Sequence, residues 1–355
     1  MTNVMRALRW HGNHDVRLDT VDVPQPGPTE VLIEVIRVGL CGTDLEEYRD
    51  GPLDIPVGSP HPTAHQSAPI TLGHEVVGVV HSSPPGRPAV GSFVVPDVVI
   101  GCGSCWWCQR HQPGQCRFLA VRGFHADGGL APFMLADAQS CVMLPADMSP
   151  DVAVFAESTA VAVRGFRKAG DVTGAVLCIQ GAGTVGTLLA QISLASPASV
   201  VLVVDPDMTR RSRLNDLGAH TASVEDALDA VMDLTDGRGA DVVFECSGVA
   251  DGPQQAALLS RRGGGIVLVG FGPPKLQLDW LPFVLGERRL LGSAAHVWDE
   301  DVSAAVSLLH RKIVNPATIE AEVIPLSRVV EDGFQRLERD RRTPKLIVDP
   351  RDGVL

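Results

Sequence analysis

The sequence predicts an α/β protein of two domains: a β-rich domain drawn from both chain ends, and a doubly wound parallel-sheet domain between them. Three observations predict it. The first 150 residues carry short Val/Ile runs separated by Pro/Gly turns, as strands require. From residue 151 strand-like and helix-like patterns alternate, the mark of a parallel sheet. A glycine-rich turn, Gly181-Ala182-Gly183-Thr184-Val185-Gly186, sits where such a sheet binds phosphates. At 355 residues, size scaling buries about three quarters of the unfolded surface, enough for two cores.

In order, VLIEVIRV (31–38), EVVGVVH (75–81) and SFVVPDVVI (92–100) read as strands, with PQPGP (24–28) and SPPGRP (83–88) as turns. The run from Asp151 has helical spacing and stops at Gly170. AVLCIQ (175–180), SVVLVV (199–204), ADVVFECSG (240–248) and GGIVLVG (264–270) are buried strands with helical segments between. SAAHVWDEDVSAAVSLLHRK reads as a helix, and AEVIPL and KLIVDP as closing strands that return to the first domain. The expected boundaries are 1–153 with 293–355, and 154–292.

Thirty Lys and Arg against 42 Asp and Glu give a formal charge of −12, which repels a phosphate backbone and argues against a nucleic-acid partner. No apolar run is long enough for a membrane span, and Arg6, Arg9 and Asp15 interrupt the region a signal peptide would need. A soluble cytoplasmic protein is expected.

The GAGTVG turn follows a strand and opens a helix, so its glycines permit a tight turn, close approach of a pyrophosphate and helix–strand packing. Asp205, 19 residues past Gly186, stands where a carboxylate accepts ribose hydroxyls. A structural turn is the other reading. Asp205 favours NAD over NADP, because it would repel a 2′-phosphate. Arg210, Arg211 and Arg213 count the other way, although Arg210 also suits a place over the adenine.

Cys102, Cys105, Cys108 and Cys116 form C-x2-C-x2-C-x7-C in a lobe near 101–117. Four thiolates with no open position make a structural zinc site; an iron–sulfur cluster or a nucleic-acid-binding zinc ribbon is the rival. Cys41, His74 and Glu75 offer a thiolate, an imidazole and a carboxylate, leaving a fourth position for water or substrate, as a catalytic zinc needs. Two zinc ions per chain are expected.

On CGTD (41–44), GHEVVGVV (73–80), the cysteine lobe, Glu157, GAGTVG and KLIV, the chain resembles the zinc-dependent medium-chain alcohol dehydrogenases over essentially its full length. The segment Tyr48–Pro69 is similar to that of the 2,3-butanediol dehydrogenases, with sorbitol and other polyol dehydrogenases next. The resemblance implies a GroES-like catalytic domain, a Rossmann domain, and reversible hydride transfer between a secondary alcohol and a nicotinamide. It implies that Cys41, His74 and Glu75 hold zinc, that Glu157 reaches the metal directly or through water, and that Thr43 takes the alcohol proton. Gly181, Gly183, Thr184, Val185, Gly186, Asp205, Arg210, Ser247, Gly270 and Phe271 are the expected cofactor contacts. Two departures stand out: Glu46 replaces the subgroup's relay histidine, and Ser158-Thr159 replace Pro-Leu after Glu157. Glu46 is therefore the candidate terminal proton acceptor.

Zinc with the Cys41 thiolate, the Glu75 carboxylate and neutral His74 is already uncharged, so transient or water-mediated contact is expected of Glu157. A vicinal diol of the 2,3-butanediol/acetoin type is the expected substrate; a polyol, sugar or aminocyclitol is the alternative, and a catalytically silent scaffold the alternative of another class. A homodimer or homotetramer is implied, with LQLDWLPFVLGERRLLGSA as a candidate pairing strand. Arg336–Lys345 reads as a solvated helix face, and Trp106 and Trp107 as aids to burying or docking their lobe; His61, His65, His125 and His296 are candidates to line the pocket, with surface or core positions the favoured reading.

Overall fold

The computed structural model describes residues 4–85, 88–271, 278–340 and 343–355. The chain divides into two units, one of Met1–Glu157, His296–His310 and Glu320–Leu355, the other of Ser158–Ala295 and Arg311–Ile319.

The first unit opens with β1 (Val4–Gly12), β2 (Asp15–Asp22) and β3 (Glu30–Gly39), followed by α1 (Gly42–Asp50). Then come β4 (Ile70–Thr71), β5 (Glu75–Ser82), β6 (Phe93–Pro96), β7 (Val99–Ile100), β8 (Ala120–Val121), β9 (Phe133–Asp137) and β10 (Cys141–Met143). The run SFVVPDVVI is not one strand: it breaks at Asp97, whose carboxylate accepts the Val99 N–H at 3.0 Å. Helix α2 (Pro150–Ala153) precedes α3 (Ala156–Lys168), so the helical run from Asp151 is two helices.

The second unit alternates β11 (Val176–Gln180), α4 (Thr184–Leu194), β12 (Val200–Val204), α5 (Met208–Asn215), β13 (His220–Ala222), α6 (Ala227–Asp233) and β14 (Ala240–Glu245). It continues with α7 (Gly252–Leu259), β15 (Ser260–Leu268), α8 (Leu281–Leu285) and β16 (Arg289–Gly292). All six strands are parallel, in the order β13-β12-β11-β14-β15-β16. Numbered within the sheet this is 3-2-1-4-5-6, the doubly wound order, with its switch point between β11 and β14. Of the candidate pairing segment, Leu276 and Gln277 lie outside the described residues, 281–285 are helical, and only 289–292 form a strand, at the sheet edge.

The tail carries α9 (Ser303–His310), β17 (Ala321–Pro325), α10 (Gln335–Arg339) and β18 (Lys345–Asp349). A five-residue π-turn, Trp298–Val302, precedes α9, so the helix is shorter than its sequence pattern. Strands β18 and β17 complete the first unit's larger sheet, β10-β6-β5-β3-β18-β17, with β9 also on β3. Strand β3 serves three partners: it pairs with β5 from Leu32 to Gly39, with register shifts at Leu32/Ile33 and Val35/Arg37, while Glu30–Glu34 pair with β9 and Val38–Gly39 with β18. The core combines residues from both ends, among them Trp10, Ile33, Val38, Tyr48, Phe334, Leu346 and Val348. Among the described residues no helix is long and apolar enough to cross a membrane.

Phe334 is fully buried and stacks on Tyr48 at 5.0 Å. Phe334→Ala is expected to cost about 3–5 kcal/mol, measured by denaturant unfolding; a loss below about 1 kcal/mol would show that the tail does not hold this core together.

Candidate functional site

Cys41 follows β3 and caps α1, where Asp44 Oδ2 accepts the Cys41 N–H at 2.9 Å. His74 and Glu75 enter at the start of β5. Before them Gly73 has φ +94°, and a Cβ there would stand 2.8 Å from Leu130 Cγ, so a side chain is excluded twice over. The fold thus brings together residues 33 positions apart in sequence: ligand atoms of Cys41, His74 and Glu75 all lie within 4.8 Å of one another.

The surroundings of this group are charged and buried. Asp44, wholly buried, stands with Oδ1 3.4 Å from His74 Nδ1, which leaves Nε2 for a ligand. Burial opposes charge on His74, yet the Asp44 carboxylate and the Cys41 sulfur outweigh it and hold its pKa well above the usual value. Lys345 Nζ lies 2.6 Å from the Glu75 carboxylate and donates to Leu40 O at 2.8 Å. Lys345 therefore corrects the expectation of a solvated helix face. Helix α10 ends at Arg339, and Lys345 opens β18, where the Glu75 carboxylate offsets burial and raises its pKa.

A sulfur, an imidazole nitrogen and a carboxylate oxygen are the donor set of a three-ligand zinc site. The paired charges of Asp44 and Lys345 provide the outer support such ligands require. Thr43 is half-buried in the first turn of α1, and burial raises the pKa of Glu46 farther along it. Glu157 is in the first turn of α3, outside the three-residue group. Its pKa is raised by burial and opposed by His296, His74 and Lys345. His296 is buried between Asp97 (Nε2 to Oδ1, 2.9 Å) and Glu157 (Nδ1 to Oε1, 3.5 Å). His61 and His125 instead stack edge-on at 4.5 Å.

Cys102, Cys105, Cys108 and Cys116 also converge within 4.8 Å, and none is in a disulfide. The N–H groups of Cys102, Cys108 and Phe118 point at their sulfurs at 3.3–3.5 Å. Hydrogen bonds from Ser104 lower the Cys102 thiol to about 6, whereas burial pushes Cys108 up to about 12. This is the four-sulfur donor set of a closed zinc site. Trp106 and Trp107 are exposed, at 55% and 39% of their surface, and do not bury the lobe within this chain. They pack edge to face at 4.6 Å, with the Arg110 guanidinium over Trp106.

In the second unit, Gly181 leaves β11 at φ +94°, and a Cβ on Gly186 would collide with the Gly181 carbonyl oxygen. Gly183 caps α4, with Thr184 and Val185 in its first turn. Asp205, buried beyond β12, accepts the Ala182 N–H at 2.6 Å and the Asp207 N–H at 2.8 Å, so the acidic residue and the glycine turn are joined. Arg211 Nη1 donates to the Asp205 carbonyl at 2.6 Å, and Arg210 lies in the first turn of α5. Ser247 stands against Gly181, and Gly270 and Phe271 against Gly248, at the carboxyl ends of β11, β14 and β15. Phe271 is exposed. A glycine cradle, a helix N-terminus and a carboxylate at the switch point fit a dinucleotide.

Lys345 and Asp97 are not singled out as site residues by the sequence, and His296 is a pocket candidate whose favoured reading is surface or core. Their partners are 270, 199 and 139 positions away (Glu75, His296 and Glu157 respectively), and only the KLIV motif drew attention to Lys345. Lys345→Met keeps the apolar stem but strands the Glu75 charge. It is expected to cost about 3–5 kcal/mol of unfolding free energy in metal-free protein at pH 7, measured in urea; an unchanged midpoint would refute the pairing.

Residues 27–146 match the alcohol dehydrogenase GroES-like domain, and residues 184–311 the zinc-binding dehydrogenase domain. The chain is 30% identical to (R,R)-butanediol dehydrogenase of Neisseria gonorrhoeae over 98% of its own length and 99% of that protein's. It is 32% identical to L-threonine 3-dehydrogenase of Pyrococcus abyssi over 84% of each. Among solved structures, a zinc-binding dehydrogenase from Sinorhizobium meliloti bound to NADP superposes with a TM-score of 0.85 at 27% identity, covering 98% of this chain and 99% of that one. With its GroES-like and Rossmann domains, the chain belongs to the zinc-dependent medium-chain alcohol dehydrogenases, oxidoreductases that act on CH–OH groups.

Proposed function

We propose that the protein interconverts a vicinal diol of the 2,3-butanediol type and its hydroxyketone, with NAD as the hydride acceptor. The observation that carries this reading is the Cys41, His74 and Glu75 group, backed by Asp44 and Lys345. Zinc bound there would supply the positive charge that makes an alcohol acidic, and NAD the hydride acceptor. Thr43 is assigned the hydroxyl that receives the alcohol proton, and Glu46 the acceptor at the end of its path. The formal charges of Asp44 and Lys345 cancel, so a divalent ion with Cys41, Glu75 and neutral His74 still sums to zero. A permanent second carboxylate would make the site anionic, which supports a transient or water-mediated role for Glu157.

Cys102, Cys105, Cys108 and Cys116 are assigned a second, structural zinc. Gly181, Gly183, Thr184, Val185, Gly186, Ser247, Gly270 and Phe271 are assigned to the coenzyme. Asp205 supports NAD over NADP, since a buried carboxylate repels a 2′-phosphate; Arg210 is assigned to the adenine side. The exposed edge of β16 supports a homo-oligomer paired through this sheet, and eight unpaired cysteines support a reducing cytoplasm.

A panel of 2,3-butanediol, sorbitol, cyclitols and L-threonine with each coenzyme, following reduced-cofactor absorbance, tests the reading. The diol with NAD is expected to give the highest kcat/KM, with two zinc ions per chain and activity abolished by Cys41→Ser. Preference for a polyol, for threonine or for NADP overturns the corresponding assignment, and silence towards all of them overturns the enzyme reading.

Burial raises the pKa of Glu46, so the acid limb of kcat should lie above the ordinary carboxylate range, with activity falling as protonation removes the acceptor. Glu46→Gln is expected to abolish that limb. An unchanged pH–rate profile removes Glu46 from the relay.

A further inference from the structure

Asp97 and His296, both buried, and Glu157, 12% exposed, form a line of three polar side chains. Asp97 Oδ1 accepts both the Val99 N–H at 3.0 Å and His296 Nε2 at 2.9 Å, fixing the ring from one side. Both Asp97 and His296 are 2% exposed. Val297, next in the chain, is itself pinned: its N–H donates to Asp301 Oδ2 at 2.9 Å and its carbonyl accepts the Asp301 N–H at 2.6 Å. The ring therefore has little freedom, and its other nitrogen, Nδ1, faces Glu157 Oε1 at 3.5 Å with no hydrogen-bond partner. A buried nitrogen left in that state requires an explanation. Glu157 supplies one, because its carboxylate oxygen stands 3.5 Å from Nδ1, close enough to bond after a small shift, and it lies within electrostatic reach of His74, Glu75 and Lys345.

We propose that His296 is a positioning residue that tethers the Glu157 carboxylate beside the Cys41, His74 and Glu75 group and keeps it from becoming a permanent fourth ligand. Asp97 orients the tether. The proposal rests on the zinc assignment made above.

Isosteric variants separate the two sides of the ring. His296→Gln keeps an amide near the Nε2 position, facing Asp97, and removes the group facing Glu157; His296→Asn does the reverse. The readouts are zinc release to the chelator 4-(2-pyridylazo)resorcinol, and kcat against the KM for NAD. The release phase that Cys41→Ser abolishes reports the three-ligand site.

With its tether gone, Glu157 is expected to close the site. His296→Gln should slow that phase and lower kcat by about tenfold, with the KM for NAD unchanged, while His296→Asn stays within roughly threefold of the parent. In a Glu157→Gln background His296→Gln should add nothing, since residues acting through one another are not additive. A full additional effect in that background, or His296→Asn being the more damaging variant, would overturn the tether and reduce His296 to a packing role. A parent protein with no Cys41-dependent phase overturns the zinc assignment and this proposal together. Additive variants in a protein that shows the phase remove the tether alone.

Discussion

The pairing of Lys345 with Glu75 is the constraint around which the first unit is organised. A carboxylate with 2% of its side chain exposed and an ammonium with 6% are stable only in each other's company. That company requires β18 to lie against β3, which in turn holds β5, the strand that begins with Glu75. The same ladder ends β3 just before Cys41. Backbone pairing, a buried ion pair and the placement of a ligand group are thus a single arrangement, and a shift of one residue in β18 would undo all three.

Electrostatics around that arrangement are balanced in layers. Asp44 stands behind His74 at 3.4 Å and Lys345 behind Glu75 at 2.6 Å, so each of these candidate ligands faces a group of opposite charge. The cysteine lobe follows a different logic. Its sulfurs are surrounded by backbone N–H groups instead of charged side chains, which suits four anionic thiolates in a loop with few strands of its own.

Legibility in the sequence followed distance along the chain. The glycine turn with Asp205, the four-cysteine lobe and the CGTD and GHE motifs are local patterns, each carrying its own chemistry, and the parallel strands advertised themselves as Val/Ile runs. Asp97 was hidden inside such a run, because an acid between two short strands looks the same in sequence as one at a turn. Lys345 read as part of a basic surface because charge composition does not tell which lysine meets a buried acid. His296 looked like an ordinary core histidine until the fold set it between two carboxylates. The segment from Trp280 to Gly292 resolved into a short helix and an edge strand, since apolar runs of that length do not distinguish the two.

The interleaving of the two units along the chain bears on how the polypeptide is made. The second unit has all of its segments once Ile319 has been synthesised, whereas the first, although begun earlier, still lacks β17 and β18. During translation the edge of β3 that will receive β18 and the acid at Glu75 must therefore wait for Lys345–Asp349 to leave the ribosome. The unit that starts first in the sequence therefore gains its last two strands only after the unit that starts second has all of its segments.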